Sequence, residues 1–331
     1  MTASQHSESR HLLQVYGQLP LETTSAEGVY LHAGKRRIID FYGGHAVAAL
    51  GYAHPDLLAA LERQARSMYF QSNAVALEVR ALAGDALAAF APAGLDRVFF
   101  VNSGAEANEN ALRVACRATG RSRVLAIEHG FHGRTAAAAA VTWGAAKSWY
   151  GFPRKPFDVD FIPRDDTARA EEMITGDTAA VIVELVQGLA GAYDLDSGFV
   201  LTIAEACRRA GALLIIDEVQ SGMGRTGAPF AANLYGITPD MLTTAKALGG
   251  GFPCSALLMT EALAGTLKYG DLGTTFGGGP MACALVTTVI QVIRRDAGSA
   301  DRAESPDPGS TPLAPSVRSC GSRQTAAAHC P

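Results

Sequence analysis

Hydrophobic positions along this chain fall into two alternating rhythms. Short, nearly unbroken apolar runs read as strands buried on both faces: RVFFVNS at 97–103, RVLAIEH at 123–129, AAVIVELV at 179–186, ALLIIDEV at 212–219, DMLTTAK at 240–246 and CSALLMT at 254–260. Between them, AEANENALRVACRATG at 105–120 and FVLTIAEACRRAG at 199–211 carry the helical period, the second closed by Gly211. Upstream, residues 56–69 and 77–90 repeat that period, and GVYLHAGKRRIIDF at 28–41 alternates about a Gly34-Lys35 turn, which predicts a hairpin. Short apolar strands alternating with helices predict an α/β fold with a mostly parallel sheet covered on both faces.

The rhythm stops after Ile293. From Arg294 the chain holds five of its fifteen prolines and, as large aliphatics, only Leu313 and Val317. Such a segment buries too little apolar surface to offset its ordering entropy, so 294–331 is expected to be a disordered tail. The 331 residues, 48% of them hydrophobic, suffice for one large domain or two ordinary ones. A formal net charge of −4 offers no basic surface for nucleic acid or an anionic membrane. Six cysteines without a CxxC pair read as reduced thiols, the first four in core-like context. The N-terminus lacks the apolar core of a signal peptide, and the run MACALVTTVIQVI at 281–293 is too short to span a bilayer. The expected location is therefore the cytoplasm.

Chemistry enters with the ends of the strands. ALLIIDEV finishes in two carboxylates, Asp217 and Glu218, and a carboxylate ending a buried strand is costly unless something cationic compensates it. VNSGAEANE at 101–109 is a strand, a small-residue turn and a helix start, where free N–H groups make an anion site; Asn102 and Ser103 also suit a plain turn and N-cap. EHGFHGRT at 128–135 puts a ring, Phe131, and a cation, Arg134, in a glycine-flanked loop, suited to stacking on a flat ligand and to forking a carboxylate. His129 and His132 lack companions at metal-ligand spacing, so no metal is expected. TTAKALGGG at 243–251 ends an apolar run on Lys246 before a glycine turn; a lysine in an apolar pocket is the covalent handle of carbonyl chemistry. An anion cradle, a stacking ring, a buried carboxylate and a Schiff-base lysine, in that order, are what pyridoxal phosphate requires.

These motifs resemble those of the class III, or ω-, aminotransferases of fold type I, and most closely the acetylornithine/ornithine branch. The resemblance covers residues from about 16 to about 293 and is carried by GVYLHAGKRRIIDF, LGYAHP, NSGAEANENALRVA, FHGRT, LLIIDEVQSGMGRTG, PDMLTTAKALGGGFP and TTFGGGP, with 29 positions between Asp217 and Lys246. It implies an N-terminal segment of a small domain over 1–50 and a large cofactor-binding domain over 51–293. It implies that Lys246 holds pyridoxal 5'-phosphate and moves the substrate proton, and that Asp217 faces the cationic ring nitrogen. Gln220 is implied at the phenolic oxygen, Phe131 on the ring, and Ser103, Gly104 and Ala105 at the phosphate. Thr275 is implied to reach the phosphate of a neighbouring subunit, which makes the expected unit a homodimer. Arg134 is implied to read the α-carboxylate of an ornithine-like donor. Glu184 is implied as a gate carboxylate for a second arginine when 2-oxoglutarate binds.

The sequence departs from the family pattern at three places. ELVQGLAGAY carries Leu185, Leu189 and Ala190 where proline, glutamate and glycine are usual, and Gly279 stands at a usual asparagine. After residue 293 the family continues into a C-terminal subdomain that supplies the second arginine, where this chain has its proline-rich segment. The expectations are therefore an ω-amino donor transaminase using 2-oxoglutarate, or a cofactor-binding remnant with little turnover, or a relative acting on another ω-amine such as 4-aminobutyrate. A dinucleotide-binding dehydrogenase is excluded, because no GxGxxG follows an early strand.

Overall fold

The computed structural model describes residues 2–303. The chain divides into two units, Met1–Ile293 and Arg294–Pro331. Near the N-terminus, β1 (Ser25–Glu27), β2 (Tyr30–Ala33) and β3 (Arg36–Ile39) form a small antiparallel sheet, with the expected hairpin turning at Gly34-Lys35. The main sheet has seven strands: β4 (Arg97–Val101), β5 (Arg123–Ile127), β6 (Asp158–Ile162), β7 (Thr178–Val183), then, after the short β8 (Val186–Gln187) and β9 (Tyr193–Asp194) hairpin, β10 (Leu213–Asp217), β11 (Met241–Thr244) and β12 (Ser255–Met259). Their order is β4-β12-β11-β10-β7-β5-β6, and the one reversed strand is β12, antiparallel to both neighbours. The sheet is mostly parallel, as the apolar runs predict. β6 is the strand that the hydrophobic pattern does not announce: DVDFI alternates polar and apolar because it lies at the edge and buries one face.

Layers on both faces complete the core. The helix Gly104–Thr119 buries Ala107, Asn108, Ala111, Leu112 and Ala115 against the sheet, beside the strand residues Val124, Ala126, Ile215 and Leu257. The helix Ser197–Ala210 covers the other face with Phe199, Val200 and Ile203, next to Val181, Val183, Leu214 and Ile216. Successive strand residues point to opposite faces, so Ile215 and Ile216 serve different clusters. A third cluster joins Leu57, Leu87 and Phe230 to Val286 and Val289 of the final helix, Pro280–Ala303. That helix continues past Ile293 to Ala303, and the rest of the expected tail, 304–331, lies outside the described residues. All six strands read from apolar runs end earlier than those runs do, the five parallel ones among them at Val101, Ile127, Val183, Asp217 and Thr244. Each of these five ends where the backbone turns to aim side chains across the sheet's edge. Cys207, Cys254 and Cys283 are buried free thiols and Cys116 is half-buried, in line with the core role read from sequence. Among the described residues, no helix is long and apolar enough to cross a membrane.

Candidate active site

A cavity of about 430 Å³ opens at the carboxyl ends of the parallel strands. Every strand that reaches it contributes its first loop residues: Asn102–Ala105 after β4, Phe131–Arg134 after β5, Glu184 after β7, Asp217 at the end of β10 with Gln220, and Lys246 after β11. In an open α/β sheet this edge is where ligands bind, because the helices that follow present their N-termini there. Nine of the ten residues singled out from sequence line this single cavity. The tenth, Thr275, is exposed and is not part of the lining.

The anion end is built by the start of helix Gly104–Thr119. Ser103 is its N-cap, its hydroxyl accepting from the Glu106 N–H, so both readings of this residue hold together. The first-turn N–H groups of such a helix have no intrahelical partner and point outward as donors. Gly104 is required by close approach: a Cβ there would lie 2.7 Å from both methyls of Val219, two residues past Asp217. The β10 loop and the helix start are thus packed backbone against side chain, with no room for a larger residue.

Asp217 does not rest on the cavity wall alone. It is almost fully buried, and one oxygen accepts from the Val219 N–H at 3.0 Å. The other accepts from Asn108 Nδ2 at 2.7 Å and faces His132 Nδ1 at 2.8 Å. Three donors therefore satisfy this buried carboxylate, which answers the cost raised by its place at a strand end. His132 is wholly buried; burial disfavours its charged form, but Asp217 and then Glu184 outweigh this and raise its pKa above the usual value. Its Nε2 is left without a partner among the described residues. The adjacent carboxylate Glu218 turns away, accepting from Ser221 Oγ and the Ala232 N–H.

Lys246 sits two residues beyond β11, at the start of a short 3-10 turn, with φ of 47°. A side-chain-bearing residue in the left-handed region is strained by about 1–3 kcal/mol, and such strain persists where surrounding structure fixes it. Here the following glycines let the chain turn back beneath the side chain. Burial lowers the Lys246 pKa, opposed by the charges of Asp217 and Glu184. Glu184 is buried too, and burial raises its carboxyl to about 7; it accepts from the Phe131 N–H at 2.7 Å.

At the mouth, Arg134 is exposed, with its guanidinium 4.3 Å from the centre of the Trp149 ring. This stack orients a planar fork without using its N–H donors. Gln220 reaches over Gly188, where any Cβ would collide with the amide oxygen of Gln220. The departing loop thus touches the site twice, through Gly188 and through Leu189, an exposed apolar residue in the cavity lining. Sequence reading missed Asn108 and Thr243, and considered His132 only as a metal ligand. One signal was present: Asn108 occupies the buried stripe of its helix, and a polar residue there needs a buried partner.

The sequence pattern of the family described as Aminotransferase class-III matches residues 14–305. The chain belongs to the class III aminotransferases. This aminotransferase is 39% identical over 294 residues to the acetylornithine aminotransferase of Methanosarcina acetivorans, covering 87% of this chain and 72% of that one. With the acetylornithine aminotransferase of Archaeoglobus fulgidus it shares 40% over 295 residues, covering 87% and 76%. Among solved structures it is similar to the ornithine aminotransferase of Toxoplasma gondii, at a TM-score of 0.84 and 30% identity over 91% of this chain and 73% of that one. Class III aminotransferases are pyridoxal phosphate-dependent transaminases. The residues present fit that cofactor: a helix start with a close-packed glycine, a satisfied buried carboxylate, an aromatic ring and a buried lysine surround one cavity.

Proposed function

We propose that this class III aminotransferase moves the amino group of an N-acetylornithine-like or ornithine-like ω-amino donor to 2-oxoglutarate, giving the semialdehyde and glutamate. The observation that carries the reading is the placement of Lys246, on a strained turn with a depressed pKa, in the same cavity as Asp217 and the start of helix Gly104–Thr119. When bound, pyridoxal phosphate supplies the electron-accepting ring and the carbonyl that exchanges between amines. Every other task falls to the chain's own residues.

Lys246 is the covalent attachment point and the base that takes the proton from the carbon bearing the transferred amine and returns it. Burial makes its amine less basic, which brings it closer to the working range of a proton shuttle. With the cofactor bound, Asp217 would hold the proton of the ring nitrogen, Phe131 would lie against the ring, and Gln220 would reach the phenolic oxygen. Ser103, Gly104 and Ala105 would receive the phosphate at the helix start. Arg134, exposed and stacked on Trp149, takes the donor α-carboxylate as a bidentate fork. Glu184 is the gate carboxylate for the oxo acid half-reaction. Support for the donor class comes from Arg134 and from relatives named acetylornithine aminotransferase at about 40% identity.

The proposed unit is a homodimer in the cytoplasm. Thr275 is exposed outside its own cavity, beside Phe276, whose ring packs at a tilt against Phe70 with centroids 5.5 Å apart and both residues exposed. An apolar patch of this kind around a polar hydroxyl suits an interface between copies. The test is turnover: purified chain loaded with pyridoxal phosphate, given N-acetylornithine and 2-oxoglutarate, and assayed for glutamate. The expected result is glutamate formed with N-acetylornithine or ornithine in preference to 4-aminobutyrate, and none with Lys246→Ala. Preference for 4-aminobutyrate would overturn the donor, and cofactor uptake without glutamate from any amine would favour the remnant reading.

A further inference from the structure

The group behind Asp217 is a closed set of buried hydrogen bonds that the transamination reading leaves without a role. Asn108, on helix Gly104–Thr119, is 1% exposed, and Thr243, on β11, is fully buried. Thr243 is the residue paired with Asp217 across β10 and β11. The Asn108 amide meets Asp217 Oδ2 at 2.7 Å and the His132 carbonyl oxygen at 2.8 Å on one side, and Thr243 Oγ1 at 2.7 Å on the other. The first two partners only accept, so they fix the NH₂ end toward themselves and the amide oxygen toward Thr243, whose hydroxyl donates. The amide oxygen of Asn108 is in turn satisfied by a threonine that is not part of the cavity lining.

This geometry has a consequence for charge. If the Thr243 hydroxyl is removed, the amide oxygen of Asn108 is buried without a donor, and turning the amide over would set oxygen against Asp217 and against the His132 carbonyl. Either arrangement is costly for groups as deeply buried as these. In the intact network the amide holds three elements in register: the helix that starts at Gly104, strand β11 that leads to Lys246, and the FHGRT loop that carries Phe131 and Arg134.

We infer that Asn108 and Thr243 form a positioning clamp that fixes which lone pairs of Asp217 face the cavity, and so sets the protonation of the ring nitrogen of the bound cofactor. The inference rests on the reading of this cavity as the pyridoxal phosphate site. Thr243 is not part of the cavity lining and acts through Asn108; Asn108 lines the cavity beside Asp217 and acts on the ring through that carboxylate.

The experiment measures the ring itself. Protein loaded with pyridoxal phosphate labelled with ¹⁵N in the ring is compared as wild type, Thr243→Val, Thr243→Ser and Asn108→Leu, with the ring ¹⁵N shift and the cofactor Kd as readouts. Thr243→Val keeps the volume and removes the donor. It should move the ring ¹⁵N signal toward that of the unprotonated ring and weaken cofactor binding by up to about tenfold, the size of one neutral buried hydrogen bond. Thr243→Ser should restore both. Should Asn108→Leu fail to fold, the valine variant decides alone. Folded variants with the wild-type ring shift and Kd would overturn the clamp. A wild-type chain whose cofactor spectrum is unchanged in Lys246→Ala would instead overturn the site reading on which it rests, and the clamp with it.

Discussion

At the residue scale, burial governs the acid–base groups of the site. Glu184 illustrates the sign. Burial raises its carboxyl from 4.5 to about 7, with the nearby Asp217 charge adding and His132, the Phe131 N–H and Lys246 opposing. Between pH 4.5 and 7 the folded chain then holds a proton that the unfolded chain has released, so this group favours folding less as pH rises through that window. The cost is complete above about pH 7 and amounts to ~3 kcal/mol at most, at about 1.4 kcal/mol per unit. Glu184→Gln keeps an acceptor for the Phe131 N–H and removes the charge. Its cofactor-free form should be about 1–3 kcal/mol more stable than wild type above pH 7 and nearly equal to it at pH 4.5, by denaturant melts across that range. An equal difference at all pH values would mean that Glu184 does not titrate in this window.

At the element scale, what was legible in the sequence follows from what each residue must do locally. Strands buried on both faces betray themselves as apolar runs, and Asp217 stood out because a carboxylate ends such a run. β6 did not stand out, since an edge strand with one solvated face keeps its polar residues. The end of β11 was misread by two residues, because Lys246 leaves the strand through a left-handed backbone angle that no hydrophobic pattern encodes. The helix Pro280–Ala303 outlasts the change in composition at residue 294, since Arg and Ala are good helix formers and the exposed Arg294–Ala297 stretch needs no buried face to continue it. Asn108 and Thr243 were missed for a different reason. Both stand inside quoted motifs, VNSGAEANE and TTAKALGGG, but their meaning lies in a contact 135 positions apart in sequence, which neither motif encodes.

At the scale of the whole molecule, Thr275 distinguishes a shared site from a self-contained one. It is exposed on its own chain and absent from its own cavity lining, and in the proposed homodimer its role would depend on the second copy. Lys246→Ala and Thr275→Ala chains are each expected to form impaired dimers. Unfolded together and refolded as a mixture, they should recover activity, since a mixed dimer has one cavity with Lys246 from one chain and Thr275 from the other. Sedimentation would report the dimer and glutamate production the recovery. A mixture no more active than the average of its parents would place Thr275 in its own chain's site or in none.

The central claim is that Lys246 and Asp217 serve one amino-transfer cavity, and the half-reaction tests it most directly. The cofactor-loaded chain is mixed with N-acetylornithine alone, without any oxo acid, and its visible absorbance is followed beside that of Lys246→Ala. The account predicts a visible band in wild type that differs in the variant, and that converts to the amino form of the cofactor as semialdehyde appears in equal amount. A band identical in both proteins, or one that no ω-amine changes, would contradict it.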